Sequence, residues 1–146
     1  MMHEERPIAW HWQRMPAATL GAGAGITPVQ NTWYTVLDAK NVRIKSIITR
    51  HVNDETAIKV VGVRLTCDGI VISGAQSQTN NLPYVNYLTQ TSDTLTGVNV
   101  TSFNLGYYIS LGGKSVKVEA RTTSAVGTNP LLFCTVQYEQ IKRVIK

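Results

Sequence analysis

Charge is scarce in this chain: 16% of its 146 residues are Asp, Glu, Lys or Arg, against about a quarter in ordinary soluble domains. Ser, Thr, Asn, Gln, Tyr and Gly take the place of the missing charges, a composition that suits β-structure and contact surfaces better than an exposed helical bundle. A surface adapted to heat or to an unusual environment is the other account. No segment carries a helical stripe. No run of 18 or more apolar residues occurs, and no basic start is followed by an apolar stretch, so neither a membrane span nor a secretory signal is expected. Cysteine is limited to Cys67 and Cys134. Both fall in the inward phase of expected strands and read as reduced core thiols, with a single long-span bridge as the alternative.

Chemistry-bearing patterns are missing as well. There is no HExxH, no CxxC, no glycine-rich phosphate loop after a strand and no GxSxG elbow. The three histidines are His3, His11 and His51. The first two lie in an irregular leading segment that makes a poor preformed metal site, and His51 ends a strand, where a corner or surface role is expected. Asp38, Asp54, Glu55 and Asp68 could gather at one end of a β-fold around Ca²⁺, but Asp54 and Asp68 are better explained by turns. No catalytic residue, cofactor or metal is therefore expected, and a non-enzymatic role follows. The triplet Asn99-Val100-Thr101 matches a glycosylation sequon at the level of chance. The net charge of +5 is spread over Lys40, Arg43, Lys45 and Arg50, over Lys114, Lys117 and Arg121, and over Lys142, Arg143 and Lys146. With no dense run and no recognisable module, nucleic acid is disfavoured as a partner.

What is present begins with residues 1–30. They are interrupted by Pro7, Pro16 and Pro28, run through Gly21-Ala22-Gly23-Ala24-Gly25, and read as an extended N-terminal arm without strand alternation. That arm holds two of the three tryptophans, Trp10 and Trp12. An indole hides roughly 150 to 250 Å² when buried, so the arm is expected to dock, on its own domain or on a neighbouring copy. Ile8, Trp10 and Trp12 are its candidate anchors.

Residues 31–146 read as one β-sandwich domain, large enough with the arm to bury roughly two-thirds of the unfolded surface. Period-two alternation predicts strands over residues 33–38 and 42–48, with Ala39-Lys40-Asn41 as the turn between them. The longest strand signal runs from Thr56 to Cys67. In it Ile58 and Val60 share one phase and Val61, Val63, Leu65 and Cys67 the other, which predicts a bulge near Gly62. Asp68-Gly69 reads as a tight hairpin turn into Ile70-Val71-Ile72. Further strands are expected at 102–111, at 115–122, and from Leu132 through Ile141 and Ile145. The fold class is all-β, an antiparallel β-sandwich or jelly roll with an extended N-terminal arm. One segment breaks the spacing: between Gly69 and Gly113 the only charge is Asp93, and residues 73–101 read as a long neutral loop. Its Tyr84, Asn86 and Tyr87 are candidates for a ligand or interface surface. Such a surface could pack on identical neighbours without like-charge repulsion, or hydrogen-bond and stack on a sugar.

The arm, the opening strand Asn-Thr-Trp-Tyr-Thr-Val-Leu at 31–37, the middle strand ending Cys67-Asp68-Gly69, and the closing strands Ser-Val-Lys-Val-Glu-Ala at 115–120 and Cys-Thr-Val-Gln-Tyr at 134–138 resemble small β-sandwich structural proteins of phage and archaeal virus particles. The resemblance is one of layout over most of the chain. It implies a capsid, decoration or tail-associated protein that forms symmetric homo-oligomers, trimers being favoured, meets other virion proteins, and is assembled in the host cytoplasm into the virion. The alternative is a carbohydrate- or receptor-binding β-sandwich module that uses Trp33, Tyr84, Tyr87, Tyr107 or Tyr108 for stacking.

Overall fold

The computed structural model describes residues 8–55, 57–86 and 115–145. Nine strands occur among them: β1 (Ile8–Arg14), β2 (Ala18–Thr19), β3 (Tyr34–Lys40), β4 (Val42–Val52), β5 (Lys59–Cys67), β6 (Ile70–Gln78), β7 (Tyr84–Val85), β8 (Ser115–Thr122) and β9 (Leu131–Ile145). They form two antiparallel sheets. The first has the order β1-β9-β4-β7, with β2 also on β9, and the second has the order β3-β8-β5-β6. The sheets face each other as a sandwich, as the alternating apolar pattern predicts.

The core follows strand phase. Val42, Ile44 and Ile47 of β4 and Leu132, Cys134 and Val136 of β9 meet Val61, Val63, Leu65 and Cys67 of β5 and Val116, Val118 and Ala120 of β8, all buried. β8 spans the expected residues, and β9 runs through Ile141 to Ile145. Asp68 (φ 52°) and Gly69 (φ 82°) make the two-residue turn that pairs Cys67 with Ile70; both central residues need positive φ, which is why Asp-Gly suits it.

The turn expected between the first two strands is found at Asn41 (φ 58°), and the strands it joins lie in different sheets. Other expectations change. β5 pairs without interruption across Gly62; the register shifts sit instead in β3, between Thr35 and Leu37, and in β4, between Ile44 and Ser46. Lys59 takes the inward phase of β5 and is 7% exposed, which leaves Ile58 outside at 63%. Finally, residues 73–78 belong to β6 rather than to the neutral loop. Tyr87, Tyr107, Tyr108, the sequon and the strand expected at 102–111 lie outside the described residues.

From Ile8 onward the arm pairs with its own domain, and its first described stretch is a strand, contrary to the expectation of an irregular segment. Ile8–Arg14 pairs with β9 from Ile145 back to Glu139, β2 continues along the same edge opposite Val136 and Thr135, and Ile26 bridges to Leu132. Leu20, in the 3₁₀ turn Leu20–Gly23, is 6% exposed and joins the core. Backbone pairing to the otherwise open edge of β9 supplies the order that the arm lacks by itself.

Candidate interface on the outer sheet faces and a projecting ribbon

The site is built on β9, which outruns its neighbour. Its last pair with β4 is Val42 to Gln140, while pairing with β1 continues to Ile8 and Ile145. Residues 8–12 and 141–145 thus form a two-stranded ribbon, about 15 Å long at the usual strand rise, that extends beyond the first sheet. Positions 8, 10 and 12 share a phase and oppose 145, 143 and 141. By register that phase contains Ile8, Trp10, Trp12, Ile141 and Ile145, interrupted by Arg143. It lies on the face away from the core, because Leu132, Cys134 and Val136 hold the inward phase of β9. Of the three anchor candidates, the side chains of Ile8 and Trp10 lie outside the described part.

Trp12 is half-buried, and the Arg43 guanidinium carbon lies 4.4 Å from its ring centroid. Arg43 donates from Nε and Nη2 to the two carboxylate oxygens of Glu139, each at 3.2 Å, and Lys45 Nζ lies 3.3 Å from the same carboxylate. Hydrogen bonding from Arg43 first, then from Lys45, lowers the Glu139 pKa. The second sheet repeats this constellation on its outer face. Arg64 donates to both oxygens of Glu119, at 2.7 and 3.2 Å, Lys117 approaches that carboxylate at 3.8 Å, and the guanidinium carbons of Arg64 and Arg121 each lie 4.4 Å from the Trp33 centroid. Both described tryptophans are thus covered by the protein's own cations, an arrangement worth roughly 0.5 to 1 kcal/mol per contact at exposed sites. Trp33 is therefore a poor free stacking platform.

The loop candidates are spent internally. Asn86 is 2% exposed, and its side-chain nitrogen donates to Thr49 Oγ1 (2.7 Å), the Tyr84 carbonyl (3.1 Å) and the Ile47 carbonyl (3.3 Å), fastening β7 to β4. The Tyr84 hydroxyl accepts from the Thr79 amide at 3.0 Å, and hydrogen bonding from the Thr79 side chain first, then from that amide, lowers its pKa by stabilising the phenolate. The acidic candidates are dispersed by the topology. Asp54 pairs with Asn129, Glu55 with Lys59, Asp68 accepts from the Ser115 amide, and Asp38 lies opposite Lys117. Among the described residues no three His, Cys, Asp or Glu side chains converge. Both cysteines are buried and free. Burial pushes the Cys134 thiol up to about 12, which keeps it protonated and chemically inert.

Two features escape a reading by pattern. One is a groove of about 440 Å³ where β1 gives way to β2, lined by Arg14, Met15, Ala17, Lys45, Gln137, Tyr138 and Glu139. The other is the burial of His51, which is 4% exposed and not a surface corner. Comparison of the chain with protein-family models, with curated proteins and with solved structures finds no match.

Proposed function

We propose that this chain is a non-enzymatic building subunit that assembles with copies of itself into a symmetric oligomer, and that it serves as a component of a viral particle. The observation that carries the assembly reading is the ribbon. An isolated pair of strands is marginal in water; among the described residues this one has no strand partner beyond Ile141 on the far side of β9, and its outward register phase takes in the positions of two tryptophans and three isoleucines. A second copy of the same ribbon, applied across a symmetry axis, covers both. The low charge of the surface removes a penalty that would otherwise oppose such self-contact. The viral setting rests on the resemblance in layout, and a trimer is the oligomer that resemblance favours.

The test is mass in solution by size exclusion with light scattering. Removing residues 1–14 is cleaner than a cut at Gly25, since Leu20 is part of the core. The full chain is expected to run as an oligomer, and both Trp12→Ala and the shortened chain as monomers, the first with unchanged β circular dichroism and the second with that of the sandwich less β1. A monomeric full chain, or an oligomer indifferent to both changes, overturns the reading.

A second reading is favoured by the groove beside β1. Its volume falls in the range of small-molecule sites, and Tyr138 and Met15 lie beside Arg14, Lys45, Gln137 and Glu139, a mixture that suits a sugar. A glycan array with binding lost in Arg14→Ala would support that module.

A further inference from the structure

The end of the sandwich where β4 leaves the core holds a titratable group that neither reading uses. His51 is the last inward residue of β4, and neither of its ring nitrogens has a hydrogen-bond partner among the described residues. Beside it is a cavity of about 10 Å³, lined by Pro28, Asn53, Lys59, Val126, Leu131 and Leu132 among others, with room for one water at most. Buried polar groups are seldom left unpaired, and this one borders the attachment of the arm.

The groups that face it are few. From β5 comes Lys59, whose buried ammonium has Glu55 at 3.4 Å. From the corner after β4 come Asp54, engaged by Asn129, and Glu55, turned to Lys59. The arm offers Pro28, β8 offers Thr122 and β9 offers Leu131 and Leu132, all without charge. A proton on His51 would thus place a second cation near Lys59 in a nearly dry space, where unlike water nothing screens it. The Ala57 backbone favours the charged ring only in part; the fuller remedy is hydration, and hydration calls for this end to open.

What would part is visible in the hydrogen bonds. Ile26 and Leu132 exchange amide-to-carbonyl bonds of 2.9 and 2.8 Å, the Asn31 amide donates to the Thr122 carbonyl at 2.8 Å, and the Asp54 amide donates to the Thr128 carbonyl at 3.2 Å. Gly127 (φ +74°) lets its loop close over the corner, since a Cβ there would stand 2.8 Å from Glu55 Oε2. These contacts lie at the margin of the sandwich, whereas the pairing of β5 with β8 and of β4 with β9 does not depend on them.

We propose that His51 is an acid-operated latch: proton uptake opens this end of the sandwich and frees the root of the arm, residues 26–31, from β9 and from the end of β8, while the two sheets remain folded. Burial holds the imidazole below its ordinary 6.5, the Ala57 backbone opposes this in part, and Lys59 adds a smaller lowering contribution. The open form, with the ordinary value, binds the proton more readily. The closed form is therefore fully favoured above pH 6.5 and loses ground as pH falls below it, until the ring's own lowered pKa is reached.

The experiment is amide hydrogen exchange on the full chain at pH 7.5 and 5.5, corrected for intrinsic rates, with the ring of His51 followed by NMR. At pH 5.5 the latch predicts protection of the Ile26, Asn31 and Leu132 amides lowered by up to about tenfold, with Val63 and Val118 unchanged. The variant His51→Gln, similar in size and unable to titrate there, is expected to show no such response. An equal response in His51→Gln, or no response in the natural chain, overturns the latch. Should the variant fail to fold, the ring decides: titration below 6.5 together with the loss of protection upholds the latch, and titration at or above 6.5 overturns it.

Discussion

Glu119 and Glu139 perform the same task at different depths. Each accepts a forked pair of bonds from an arginine that also covers a tryptophan, but the Glu119 side chain is 7% exposed and that of Glu139 is 17% exposed. A surface ion pair is worth about 0 to 1 kcal/mol, while removing one partner of a buried pair strands the other and costs more. Glu119→Gln is therefore expected to lower stability by about 2 kcal/mol and Glu139→Gln by less than about 1 kcal/mol. Urea unfolding of the two variants side by side checks the ordering; equal losses would mean that depth does not govern these pairs. The same scale explains why the tryptophans need not foul the surface. The expectation that indoles on an arm demand a docking partner holds for Trp12, and its first partner is Arg43 of its own domain.

At the scale of elements, the β5–β6 hairpin depends on its turn. Gly69 has φ +82°, and a Cβ there would meet nothing within 4 Å. Gly69→Ala thus costs only the left-handed backbone conformation, about 1 to 2 kcal/mol. Gly25 combines φ +76° with a Cβ site 3.0 Å from the Phe133 ring and 3.1 Å from the Leu132 carbonyl, so Gly25→Ala is expected to cost more. Thermal unfolding of the pair tests that difference. The hairpin was legible from Asp68-Gly69 because turn chemistry is local. So were β8, in which Val116, Val118 and Ala120 oppose Lys117, Glu119 and Arg121, and β9. Less local features were not. β1 does alternate, with Ile8, Trp10 and Trp12 set against Ala9, His11 and Gln13, but Pro7 and Pro16 suggest a broken segment when they in fact flank a strand. The phase of β5 misled because an ion pair with Glu55 lets Lys59 occupy an inward position that Ile58 was expected to share. The buried His51 carried no pattern at all, since its surroundings come from five separate stretches of chain.

For the whole molecule, the division of labour falls along β9. One of its edges carries β4, which brings Val42, Ile44 and Ile47 to the core, and the other carries the arm. The assembly reading asks the far part of this strand to do what the near part does within the chain, namely to find cover for an open edge and an apolar phase. Loss of the oligomer in Trp12→Ala without loss of the fold would separate those two duties. The candidate interface was half legible: Ile8, Trp10 and Trp12 stand out in the sequence, but the ribbon on which they fall depends on β9 reaching past Val42, which only the register reveals. Asn86 shows the converse, a residue well suited by type to ligand recognition that the fold consumes as a fastener.

The pairing of position 8 with position 145 also has a mechanical meaning. Tension between the two ends meets the hydrogen bonds of β1 and β9 one at a time, as in a zipper, and never loads them together in shear. Pulling from both ends in a force spectrometer should peel the ribbon at low force before the sandwich yields. A load applied through residues 8 and 145 would find the chain compliant there and stiff across the body.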